Sequence, residues 1–109
     1  MNPLHTRIWA HQRELARLGV VIAAGFGRCE DLRDQLERAL GSVAANFVEG
    51  CGRHTPKDRR RFFAIAKGSV YECAGLVDHA EVIGLVDDEA HGRFLVLADQ
   101  LGGMLHKFH

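Results

Sequence analysis

The side chains best placed to do chemistry fall into two groups. The first is Asn46, Glu49, Ser69 and Glu72. Each pair is three residues apart, so each pair shares a helix face. Two carboxylates on facing helices are an arrangement that general acid–base catalysis uses. No nucleophile or metal ligand accompanies them. The simpler reading is a hydrogen-bonded polar layer that fixes register between helices or subunits, because a carboxylate or amide near a core needs a partner. The second group is Arg53, Lys57, Arg59, Arg60, Arg61 and Lys67, which with Asp58 give net +5 over residues 53–67. Lys57, Arg60 and Lys67 fall on one helical face. Such a row can be a solvated face, or it can contact a phosphate backbone. No aromatic stacking platform interleaves the arginines. Asp78, Glu81, Asp87, Asp88 and Glu89 give net −5 over residues 78–89. Basic and acidic ends can therefore meet across subunits.

Other patterns dissolve on inspection. Asp88-Glu89-Ala90-His91 spells a helicase box, but no GxxxxGK[ST] loop accompanies it. Gly25-Phe26-Gly27 opens no strand–loop–helix unit and reads as a turn. Among seven histidines, His106 and His109 are three apart, at a chain end. No Glu-x-x-His pair supports a carboxylate-bridged di-iron bundle. Cys29, Cys51 and Cys73 are odd in number and lack CxxC spacing, so neither a disulfide framework nor a zinc knuckle is expected. No catalytic, cofactor-binding or metal residue is assigned.

Four segments with spacings of three and four must position these groups. The first runs from about Thr6 to Ala24, with Ile8, Gln12, Leu15 and Ile22 on one stripe and Trp9 and Leu18 beside it. The second runs from about Glu30 to Gly50, with the stripe Leu32, Leu36, Ala39, Val43, Phe47 and Gly50. The third has the clearest start: Thr55 as N-cap, Pro56 at N1 and Asp58 at N3. Its stripe is Phe62, Ala66, Ser69, Cys73, Leu76, Ala80 and Ile83, ending near Gly84. The fourth opens at Asp87-Asp88-Glu89 and carries Ala90, Phe94, Leu97, Leu101, Met104 and Phe108. Short breaks force antiparallel neighbours, so the expectation is all-α: an antiparallel up-down four-helix bundle, one domain over residues 1–109, roughly 30 Å long. Gly68 and Gly75 cost about 1 kcal/mol each inside a helix. Close contact with a neighbouring helix or subunit would offset that.

The composition agrees. Hydrophobic residues make up 47% of 109 residues and charged residues 26%, enough to bury a core. The formal charge is zero, which argues against a global grip on nucleic acid or anionic membrane. No apolar run approaches the ~20 residues that span a bilayer. No signal pattern is present, and a cytoplasmic location is expected.

Residues 42–53, Ser-Val-Ala-Ala-Asn-Phe-Val-Glu-Gly-Cys-Gly-Arg, resemble the S-I-x-x-N-I-A-E-G-x-G-R signature of the four-helix-bundle proteins encoded in intervening sequences of bacterial 23S rRNA genes. Residues 63–72 resemble that family's F-x-x-I-A-x-G-S-x-x-E. Gln35-Leu36-x-Arg38-Ala39 and Trp9 fall in family order. The resemblance implies a closed bundle, assembly as a ring-like homopentamer and no enzyme activity. Accessory proteins of diversity-generating retroelements look related, and there the bundle binds nucleic acid. This chain departs in its balanced charge, its short connection between the first two helices and the absence of a lysine-rich tail. The expected function is a non-enzymatic homo-oligomeric scaffold or interaction module. The alternative is an RNA- or DNA-binding accessory protein using residues 53–67.

Overall fold

Three side chains start three of the helices. Thr6 accepts a hydrogen bond from the Trp9 amide at 3.1 Å, Thr55 from Asp58 at 3.1 Å, and Asp87 from Ala90 at 2.8 Å. Each satisfies one of the amides a helix leaves unpaired at its N-terminus. The computed structural model describes residues 1–108. It contains a short 3-10 turn, Pro3–His5, and four helices: α1 (Arg7–Ala24), α2 (Glu30–Cys51), α3 (Pro56–Val82) and α4 (Asp88–Lys107). Helix α2 begins without a side-chain cap, and Glu30 and Asp31 in its first turn meet the positive end of the helix dipole. Helix α3 stops in a Schellman arrangement. Gly84 adopts φ 80°, its amide reaches the Glu81 carbonyl at 3.0 Å, and the Leu85 amide reaches Ala80 at 2.8 Å. At the end of α1 only Gly27 takes a positive φ, 56°, whereas Gly25 stays right-handed. Phe26 between them is no mere turn residue, because its ring is fully buried.

Successive helices are neighbours in space, and α1 closes against α4. An aromatic cluster fixes their directions. Trp9 lies near the start of α1, Phe47 near the end of α2, Phe63 near the start of α3 and Phe108 just past α4. The Phe47 ring centroid is 6.4 Å from Trp9, 5.9 Å from Phe63 and 5.6 Å from Phe108; Phe63 and Phe108 are 5.1 Å apart, edge to face. Only alternating directions bring those four ends together, so the bundle is up-down. It measures 44 × 23 × 18 Å, longer than expected, because α3 alone has 27 residues and a rise of 1.5 Å each.

The stripes hold for α1 and α2 and shift on α3. The buried side chains there are Phe63, Ala66, Ser69, Val70, Cys73, Val77 and Ala80. Phe62 and Leu76 are half-buried and Ile83 is exposed. The seven-residue spacing is kept, in Phe63, Val70 and Val77 with Ala66, Cys73 and Ala80, but half of the stripe sits one residue later than expected. Helix α3 buries this face against both α2 and α4.

Burial inside this core pushes the Cys73 thiol up to about 12, with the Glu72 charge adding to the effect. Only the thiolate is nucleophilic. Cys73 is therefore expected to resist iodoacetamide at pH 8 in the native protein and to react after urea unfolding, as read by peptide mass mapping. Rapid native labelling would show that α3 opens on the labelling timescale. Burial also raises Cys51, against the opposing charges of the N-terminal ammonium and Arg59.

Candidate functional site

The α2–α3 seam carries a polar cluster. Ser42 and Ser69 share a hydrogen bond at 2.8 Å between hydroxyls. The Asn46 amide donates to the Ser42 carbonyl at 2.8 Å and to its hydroxyl at 3.0 Å. Ser69 is buried and Asn46 half-buried, so the contacts satisfy groups that water reaches poorly. Ser42, which stood in the first motif without a role, links the other two. It is four residues before Asn46 on the same face, a spacing that could have marked it.

Glu49 and Glu72 stand outside this cluster. Both are exposed. Glu49 is drawn to the Arg53 guanidinium at 2.6 Å, an i,i+4 pair. Glu72 makes no hydrogen bond or ion pair among the described residues. Neither carboxylate joins the hydrogen bonds among Ser42, Asn46 and Ser69.

The basic segment is less uniformly basic than its sequence. Asp58, held at the third position of α3, faces Arg53 at 3.6 Å and Arg61 at 3.3 Å. The 3.6 Å approach is an electrostatic contact only, and the buried Nε of Arg53 has no hydrogen-bond partner. The Arg53 and Arg61 guanidiniums each lie 4.6 Å from the centre of the Phe62 ring. Phe62, displaced from the core stripe, thus becomes a cation–π platform for two arginines. Arg59 donates to the His54 carbonyl at 3.1 Å. Lys57, Arg60 and Lys67 form no ion pair among the described residues. Lys67 instead reaches across to α4, 3.1 Å from Nδ1 of His106. At the acidic end Nε2 of His91 meets Asp78 at 2.8 Å.

The described residues hold no cluster of three or more His, Cys, Asp or Glu that could bind a metal ion, and His109 lies outside them. No described helix is long and apolar enough to cross a membrane.

Residues 5–107 match the profile of the family described as 23S rRNA-intervening sequence protein. The chain belongs to this family. Among solved structures, a protein of unknown function from the S23 ribosomal protein family of Bacteroides thetaiotaomicron VPI-5482 superposes with a TM-score of 0.81 at 15% identity, covering 90% of this chain and 94% of that one. At that identity the likeness shows the fold. No curated protein matches the chain. In this intervening-sequence protein the two family-like motifs face each other: Ser42 and Asn46 come from the first and Ser69 from the second.

The glycines divide into two kinds. A Cβ at Gly50 would lie 2.6 Å from the Phe63 ring and 3.0 Å from Cβ of Phe62, so Gly50 permits the close α2–α3 approach. Gly68 and Gly75 have nothing within 4 Å of that position. Close contact with another helix of the same protomer, one of the two expectations for them, is not what they serve.

Proposed function

We propose that this intervening-sequence protein is a non-enzymatic, self-associating bundle that acts as a scaffold or interaction module. The observation that carries the reading is the outer face of α3. Ile65, Gly68, Glu72, Gly75, His79 and Val82 are all exposed and follow steps of three and four. That is a second seam on the same helix, facing away from the core. Two of its positions are glycines that cost about 1 kcal/mol each relative to alanine, with no offsetting contact inside the protomer. A close-packed neighbour supplies that offset.

A second face supports the same reading. Leu18, Val21, Val96 and Leu97 line a groove of about 870 Å³ between α1 and α4, rimmed by Arg17 and Arg93. Val21 is 70% exposed and Val96 57%. A closed ring needs two unlike faces on every subunit, and the bundle has a glycine-bearing outer seam on α3 and an apolar groove at α1/α4. The oppositely charged segments 53–67 and 78–89 can add attraction between subunits. The number five is what the family resemblance implies. Nucleic-acid binding along 53–67 has less support, because Glu49 and Asp58 already face Arg53 and Arg61.

Light scattering tests the proposal. The wild type is expected to elute at several times the monomer mass. Gly68→Arg/Gly75→Arg is expected to elute as a monomer with unchanged helical circular dichroism, since both side chains point into open space in the protomer. A wild-type monomer at micromolar concentration would overturn the reading.

A further inference from the structure

Arg60 and Lys67 are seven residues apart on α3, two turns along one face. Both line a cleft of about 160 Å³ between α3 and the last turn of α4, with His106 opposite and Phe63, Leu105 and Phe108 as its apolar part. No carboxylate of the described residues lines it. This sets the pair apart from Arg53 and Arg61, whose charges face Glu49 and Asp58. Lys67 is half-buried, 3.1 Å from His106 Nδ1 and 6.0 Å from the centre of the Tyr71 ring. The ammonium has no acceptor role, so it donates and His106 Nδ1 accepts. That leaves two ammonium hydrogens, the Arg60 guanidinium and the His106 Nε2–H as donors without an acceptor among the described residues. Two like charges beside an aromatic wall repel, and an anion between them reverses the sign of the interaction.

We propose that this cleft binds a phosphate group, held by Lys67 and Arg60 with His106 as third donor. Phosphate suits the donor set because its oxygens accept from a guanidinium fork and an ammonium together. The site is local: it takes one phosphate group and does not require a cationic track along the whole of α3. It does not rest on self-association.

The test is calorimetric titration of the full-length protein with inorganic phosphate, and with a six-nucleotide RNA carrying or lacking a 5′-phosphate, at constant ionic strength. Wild type is expected to bind at least one probe. Lys67→Met and Arg60→Met are each expected to weaken that binding about tenfold, the loss of one charge-assisted hydrogen bond. Lys67→Arg is expected to restore it. Arg13→Met, an exposed position on α1 outside the cleft, is expected to bind as wild type. Binding of inorganic phosphate alone identifies a free anion as the source. A preference for the 5′-phosphorylated RNA identifies a strand terminus, and equal binding of both RNAs a backbone phosphate. Failure of every probe, or binding that both methionine variants retain at full strength, overturns the proposal. Light scattering on each variant separates loss of the site from loss of assembly.

Discussion

Phe47→Ala is expected to destabilise the fold by about 3–5 kcal/mol, the range for removing a fully buried aromatic side chain. Phe47 is completely buried and touches Trp9 of α1, Phe63 of α3 and Phe108 just past α4. Among the described rings of this cluster, only Phe47 meets the other three. The cavity left behind cannot collapse easily, because α2 and α3 are already held at close approach by Gly50 against Phe63. Urea unfolding followed by circular dichroism reads the effect. A domain of this size has a total stability of only about 5–15 kcal/mol, so the variant is expected to be partly unfolded at 37 °C. Phe47→Leu, which keeps most of the volume, is expected to lose far less. A loss below about 1 kcal/mol for Phe47→Ala would mean that the aromatic cluster is not the keystone of that end.

The sequence made much of this fold visible, and the misses have physical causes. Thr55, Pro56 and Asp58 announce the start of α3 because capping is a local event, decided within one turn. The α1 and α2 stripes are legible for a similar reason: each helix buries one continuous face. Helix α3 keeps the three-and-four spacing, but Phe62 and Phe63, and Leu76 and Val77, are adjacent apolar residues that periodicity ranks equally, and the core takes Phe63 and Val77. Phe26 hides between two glycines that read as punctuation. The candidate site is less legible: Glu49 reads as part of the polar layer and Arg53 as part of the basic row, although a local spacing joins them. Glu49 and Arg53 are four residues apart, a spacing that pairs them regardless of the rest of the fold. Ser42 with Ser69 and Lys67 with His106 are separated by 27 and 39 residues, and only the bundle brings them together. Asn46 and Ser69 were recognisable as polar residues beside a seam. That their partner is a serine hydroxyl and not a carboxylate depends on which side of α2 faces α3.

The same substitution, glycine to alanine, is expected to have opposite consequences at two places in this bundle. At Gly50 the added methyl meets the Phe63 ring at 2.6 and 2.9 Å, too close for any real contact. The ring is itself wedged between Phe47 and Phe108, so it cannot swing aside without disturbing the cluster. Overpacking of this kind costs about 1–3 kcal/mol, and the gain in helix propensity, about 1 kcal/mol, offsets only part of it. Gly50→Ala is therefore expected to lower the urea midpoint. At Gly68 the methyl meets nothing in the protomer. Propensity acts alone there, and Gly68→Ala is expected to stabilise the isolated protomer by up to about 1 kcal/mol. The two terms separate by concentration. If α3 packs its outer seam against another subunit, the methyl that stabilises the protomer weakens the contact, and the assembled protein dissociates at higher concentration than wild type. A Gly68→Ala protein that is more stable and equally associated at every concentration would remove Gly68 from the interface and leave the α1/α4 groove as the only apolar face supporting self-association.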